Sequence, residues 1–192
     1  MGNLIQKFNV NDFTKYNYDN CETLFKSGYQ TIGRVVDIYD GDTFTVIIEF
    51  QKKYIKYPVR LYGIDTCEMK SKDKDSKELA YKARELLYNL ITDDKLDDYK
   101  CKRTDIRQKL NDKIYLVRLD IIGLEKYGRL LAKVYKYNNT KQNFFSINFK
   151  NNEGEAFKEF SNILLKNNLA YIYDGKTKNP EKFVQFSKTL DF

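Results

Sequence analysis

With 192 residues, 42% of them apolar, the chain can close one good core or one domain with appendages. Its net charge of +7 favours acidic partners such as nucleic acid or an anionic surface. The absence of histidine excludes Ser-His-Asp and Cys-His catalysis, His-ligated zinc and a histidine base.

Acid–base chemistry therefore falls to carboxylates, lysine, tyrosine, cysteine or metal-bound water. Cys21, Cys67 and Cys101 are too few for a four-cysteine zinc site, and their odd number and irregular spacing argue against a disulfide framework. Reduced thiols and an intracellular location are expected. No run approaches the roughly 18 apolar residues of a membrane span. The opening Met1-Gly-Asn-Leu-Ile-Gln-Lys lacks the apolar region of a secretory signal. Gln6 stands where a myristoylation motif on Gly2 wants Ser or Thr, so no lipid anchor is expected there. A monomer is favoured.

Residues 1–28 are polar, rich in Asn, Tyr and Lys, and read as an extension. Strand signals begin at Thr31, with Ile32, Val36 and Ile38 running into an Asp-Gly turn. Phe44, Val46, Ile48 and Phe50 then alternate on one face, Gln51-Lys-Lys turns, and Tyr54 to Ile64 makes a third strand. Pro58 marks an edge or a bulge in it. Ser76 is a candidate N-cap for a helix carrying Leu79, Ala83, Leu86, Leu87 and Leu90 and ending near Asp93.

Thr92 to Lys113 is dense in both charge signs and poor in apolar residues. It reads as a solvated excursion, or alternatively as a nucleic-acid contact through Lys100, Lys102, Arg103 and Arg107. Two further strands, Ile114 to Ile122 and Leu130 to Tyr137, flank a turn ending Lys126-Tyr127-Gly128-Arg129. A polar connector follows, then a helix with Ala156, Phe157, Phe160, Ile163 and Leu164, the apolar run 169–173, and a last helix after Asn179-Pro180 bearing Phe183, Phe186 and Leu190. The expected class is α+β: a small five-stranded barrel carrying helices, residues 29–192 forming one domain with a charged insertion near 93–113.

Charges within these apolar runs carry the functional signal. Asp42, in the Asp40-Gly-Asp-Thr43 turn, and Arg60, Asp65 and Glu68, in the stretch from Arg60 to Glu68, fall in or beside Val/Ile-rich segments. Charge there is costly without a partner. Acids at strand ends suit a hard divalent cation, and an arginine beside them suits phosphate. Each piece also has a plain reading: Asp-Gly is a common turn, and Arg60 and Arg129 could be structural partners of Asp65 and Glu125.

Taken together, Asp40-Gly-Asp-Thr43, Arg60-Leu-Tyr-Gly-Ile-Asp65-Thr66-Cys67-Glu68, Tyr127-Gly-Arg129 and Ala170-Tyr-Ile-Tyr173 make a pattern. With it, the chain from about Ile32 onward resembles the staphylococcal nuclease (thermonuclease) family. The resemblance implies an OB-type five-stranded barrel with three helices and a calcium-dependent endonuclease acting on single-stranded, and alternatively also double-stranded, DNA and RNA to leave 3′-phosphate ends. It also implies metal ligation by Asp42, Asp65 and the Thr66 carbonyl, catalytic roles for Arg60, Glu68 and Arg129, and substrate contacts from Tyr127, Tyr171 and Tyr173. Tyr171 and Tyr173 could equally be barrel-rim residues. Cys67 replaces the family's proline, which loosens that loop, and Glu125 replaces an aspartate. The rival expectations are a non-catalytic OB-type module for nucleic acid or protein, and a scaffold whose arm and insertion dock a partner.

Overall fold

The computed structural model of the chain describes Phe25 and residues 27–137 and 159–175. Strand β1 (Tyr29–Ile38) pairs antiparallel with β2 (Thr43–Phe50), and β2 with β3 (Lys53–Leu61). After β4 (Ile64–Asp65) come helices α1 (Lys74–Thr92) and α2 (Arg103–Asp112), then the antiparallel pair β5 (Leu116–Leu124) and β6 (Leu130–Lys136). Helix α3 (Phe160–Lys166) and β7 (Tyr171–Ile172) complete the described elements. β5 returns to β1, and the last three residues of β3 pair parallel with β6, so the order β1-β2-β3-β6-β5 closes a barrel. This is the expected OB-type α+β fold, with three helices among the described residues.

Alternation explains the core. Phe44, Val46 and Ile48 from β2 point inward with Val59 and Leu61 from β3, Val117, Leu119 and Ile121 from β5, and Leu130, Ala132 and Val134 from β6. Their burial is the main drive to close the barrel. On β1 the inward face differs from the expected one. The register with β2 slips between Val35 and Asp37, a bulge that inserts Val36. Val35 and Ile38 are therefore both fully buried, and Asp37 is buried as well.

Two further departures, and one expected feature at Pro58, matter to the site. The expected third strand is broken at Tyr62-Gly63, where Gly63 adopts φ +79°. Ile64-Asp65 thus leaves the barrel wall and pairs with β7 instead. Pro58 falls where β3 has β2 as partner but has not yet met β6, an edge position that tolerates its missing N–H. The cap of α1 is Asp73, which accepts a hydrogen bond from the Ser76 amide at 2.7 Å; Ser76 lies inside the first turn.

The largest departure is the insertion. Thr92 to Lys113 is no mere solvated excursion, because it contains α2, whose Ile106 and Leu110 are fully buried. They sit at i and i+4 on one face, and α2 lies against β1. Arg84 of α1 supports the approach to α2 by donating to the Cys101 carbonyl at 2.6 Å and the Tyr99 carbonyl at 3.3 Å. The start of the second expected helix at Ala156-Phe157, the helix after Asn179-Pro180 and most of the N-terminal extension lie outside the described residues.

Candidate functional site

The turn between β1 and β2 carries the first acids. Thr43 O accepts from the Tyr39 amide at 2.9 Å, and the Asp42 amide donates to Asp40 Oδ1 at 3.2 Å. Gly41 is required for proximity: a Cβ there would lie 2.5 Å from Ala83 Cβ on α1 and 3.0 Å from Thr66 Cγ2. The turn is thereby pressed onto α1 and the Thr66 side chain, and Asp40 and Asp42 are buried. The Thr66 amide donates to Asp42 Oδ2 at 3.3 Å, so the turn and the segment after β4 share a hydrogen bond.

Arg60, near the end of β3, stands directly across the β2–β3 ladder from Thr43. Its guanidinium bridges the acids, with NH2 3.1 Å from Asp42 Oδ2, NH1 donating to Asp42 Oδ1 at 3.4 Å, and NH2 also paired with Asp65 Oδ1. Asp65 is presented by the β4–β7 pair, where its partner across the ladder is Tyr171. The Tyr171 hydroxyl donates to Asp65 Oδ2, so two side chains hold this carboxylate from two sides.

Arg129 arrives from the far side. The tight turn at Gly128 (φ +76°) brings it to the start of β6, where Glu125 accepts from its NH2 at 3.0 Å. Its NH1 donates to the Thr43 hydroxyl at 3.4 Å, and that hydroxyl donates to Asp42 Oδ1 at 2.8 Å. One shared hydroxyl therefore joins Arg129 to the acid that Arg60 grips. The plain readings of both arginines are also realised, since Arg60 pairs with Asp65 and Arg129 with Glu125.

The electrostatics follow from burial and count. Burial pushes the Asp42 carboxyl well above its usual range, with the neighbouring Asp40 charge adding to it and Arg60 opposing it. Burial likewise raises Asp40. For Arg60, burial works against the charge, but Asp42 and Asp65 win and its pKa rises. The hydrogen bond from Arg129 lowers Glu125. Burial, then the bond to Asp65, raises the Tyr171 hydroxyl.

Asp42 and Asp65 thus share the buried Arg60 guanidinium with Asp40 buried beside them, while the buried Arg84, bonded to main-chain carbonyls, acts on Asp40 from α1; the cluster is rich in hard oxygen donors. That donor set fits a hard divalent cation. Among the described residues no three acidic or thiol side chains form a cage by themselves. A cation at Asp42 and Asp65 would draw on main-chain oxygen, such as the Thr66 carbonyl, and on water.

The other expected residues fall around this centre. Glu68 is exposed in the loop after Thr66. Cys67 is buried beside Leu79 and Ala80, and burial pushes its thiol up to about 11, which suits packing. The Arg60 guanidinium carbon lies 5.9 Å from the Tyr173 ring centre, and that of Arg129 lies 5.7 Å from the exposed Tyr127 ring. Tyr171 is engaged through its hydroxyl, while its ring packs against the Cys67 cluster.

Sequence reasoning missed Asp40 as a second buried acid and Thr43 as the link to Arg129. Both stand in the Asp-Gly-Asp-Thr motif; the available signal was that every polar member of a buried turn must find a partner.

Residues 58–190 match the family of staphylococcal nuclease homologues. The Asp40–Thr43 turn lies upstream of the matched stretch, and the barrel brings it to Arg60, Asp65 and Arg129 within it. No curated protein matches the chain. Among the described residues no helix is long and apolar enough to cross a membrane.

Proposed function

Because the chain belongs to the staphylococcal nuclease homologue family, we propose that it is a calcium-dependent endonuclease hydrolysing phosphodiester bonds of single-stranded DNA and RNA to leave 3′-phosphate ends. The observation that carries this reading is the convergence of two guanidiniums on one buried acid turn. Arg60 reaches Asp42 from β3, and Arg129 reaches it through the Thr43 hydroxyl from the turn just before β6.

Hydrolysis must stabilise extra negative charge on a five-coordinate phosphorus. Arg60 and Arg129 bind its equatorial oxygens through bonds that strengthen as that charge grows, which is where rate acceleration arises. Asp42 and Asp65 orient the Arg60 fork, and Glu125 orients that of Arg129. Asp42, Asp65 and the Thr66 carbonyl would hold calcium, which when bound would supply Lewis acidity toward a phosphate oxygen and a position for water. Glu68, on the exposed loop, accepts a proton from water. Tyr171 fixes Asp65 through its hydroxyl, and the Tyr127 and Tyr173 rings offer faces for bases beside the two guanidiniums.

The test is incubation of the purified chain with denatured DNA, with and without calcium and chelator. Cleavage is expected only with calcium. Arg60→Ala and Arg129→Ala should each slow it by about 100-fold or more, the size of a lost oxyanion donor, and Glu68→Ala by about 100-fold or more, the size of a lost general base. Activity indifferent to chelation, or equal in the variants, would defeat the proposal. One observation favours a barrel that binds nucleic acid without cutting it: Arg60 is paired with both acids, as a purely structural arginine would be. That reading predicts binding with no cleavage under any of these conditions.

A further inference from the structure

The bases of the insertion are segregated from its acids. Residues 93–98 hold four aspartates and one lysine, whereas residues 100–109 hold five bases and one aspartate. Two of those bases are matched singly: Lys100 by Glu78 and Lys109 by Asp97, each at 2.8 Å. Arg103 and Arg107 instead share one carboxylate, Asp37. Arg103 Nε lies 3.0 Å from both its oxygens, and Arg107 NH2 lies 2.9 Å from Oδ2. Two positive charges on one negative leave a surplus of one, and the adjacent Lys102 is exposed.

The side chains of Arg103 and Arg107 remain 40% and 49% exposed although they are anchored. A guanidinium has five N–H donors, and neither spends them all on Asp37. Their i, i+4 spacing places them about 5–6 Å apart on one helix face, a separation that suits neighbouring phosphates of one strand. This surplus also adjoins the candidate site. The Arg103 guanidinium carbon lies 4.9 Å from the ring centre of Tyr39, the residue before Asp40, and the Asp40 charge acts on Arg103. Asp37 therefore holds two arginines at the foot of the turn that carries Asp40 and Asp42.

We infer that Arg103 and Arg107, pre-oriented on Asp37, form a second phosphate-binding station on α2, which takes the backbone of a single nucleic-acid strand continuing beyond the phosphate held at Arg60 and Arg129. The inference rests on the proposed nuclease reading for what occupies the first station. It assigns the insertion a role in holding long substrates, and charge complementarity selects a polyanionic strand as the occupant.

The test measures binding of labelled oligothymidylates of about 4 and about 16 nucleotides, lengths bracketing what one such barrel covers. The full-length chain is used in chelator, so that no cleavage intervenes, over a series of salt concentrations. For the longer strand, the Arg103→Ala/Arg107→Ala double variant should lower the slope of log affinity against log salt by about 1.4, two phosphates at roughly 0.7 each. For the shorter strand the slope should change much less. Arg103→Lys/Arg107→Lys keeps the charge and should keep most of the slope. Asp37→Asn removes the opposing charge and should bind the longer strand at least as tightly as the unaltered chain.

An unchanged slope in the double alanine variant would overturn the inference. So would a loss of binding in Asp37→Asn equal to that in the alanine variant, which would mean the cluster only clamps α2 to the barrel. Cleavage by the unaltered chain is scored separately. Absence of cleavage with the slope change present defeats the catalytic reading alone, while cleavage with an unchanged slope defeats only the second station.

Discussion

Two clusters of aspartate and arginine lie at the same end of β1, and they are built in opposite ways. Around Arg60, two buried carboxylates outnumber one buried guanidinium. Around Asp37, two half-exposed guanidiniums outnumber one buried carboxylate. The first cluster is short of positive charge in a place water barely reaches, where charge is expensive and a cation or a protonation must relieve it. The second has positive charge to spare where solvent screens it, and can offer that charge to a ligand without penalty. Which group is in the minority, and how deeply, decides what each cluster can do.

Removing the minority member of the buried cluster should have the largest effect. Arg60→Ala leaves Asp42 and Asp65 without their bridging cation, and should cost about 3–5 kcal/mol of stability near neutral pH. Burial already raises the Asp42 pKa above that of an unfolded chain, so the folded variant takes up protons first, and its deficit should shrink as pH falls. Urea unfolding of the variant and the unaltered chain at neutral and mildly acidic pH measures both. A deficit that grows on acidification would mean that the two acids are not the burden the comparison makes them.

The next effect probes what lies beneath the exposed cluster. Ile106→Ala removes a fully buried side chain between α2 and β1 and should cost about 2–4 kcal/mol, read as a lowered melting temperature. A change within a few tenths of a kcal/mol would show that α2 is not docked by its apolar face.

The smallest effect concerns Asp37 itself. Burial raises its pKa, but the hydrogen bonds and charges of Arg103 and Arg107 outweigh burial and lower it below the usual value. An acid with a lowered folded pKa adds stability above its unfolded pKa, roughly 3.9, and loses it as pH falls through the folded value. Asp37→Asn should therefore be less stable by about 1–2 kcal/mol near neutral pH, with the gap closing under acid. Parallel acid-unfolding curves for the two proteins would contradict this.

Much of the fold was legible in the residues. Phe44, Val46 and Ile48 announce a half-buried strand by strict alternation, and Leu79, Ala83, Leu87 and their neighbours announce α1 by helical spacing. The bulge at Val36 was not legible, because one inserted residue in a Val-Val pair leaves the local pattern ambiguous. Helix α2 was hidden for a related reason: its buried face is only Ile106 and Leu110, two apolar residues within a charged stretch. Asp42, Arg60 and Asp65 could be singled out as charges in apolar company, and Arg129 by its Tyr-Gly-Arg turn. The short-range pairs Arg60–Asp65 and Arg129–Glu125 were open to sequence reading, whereas the links of Arg60 to Asp42, of Tyr171 to Asp65 and of Arg129 to Thr43 were not.

By itself the sequence determined where most of the barrel strands and the long helix α1 form and which charges would be costly to leave alone, since both depend on neighbours along the chain. The tertiary structure alone decided that Arg129 meets Asp42 through Thr43, that Tyr171 meets Asp65, and that Arg103 and Arg107 share Asp37. Those pairings span 66 to 106 positions, apart from the adjacent Asp42 and Thr43. Over such separations, barrel closure and strand register set which ends meet, and no local preference encodes that.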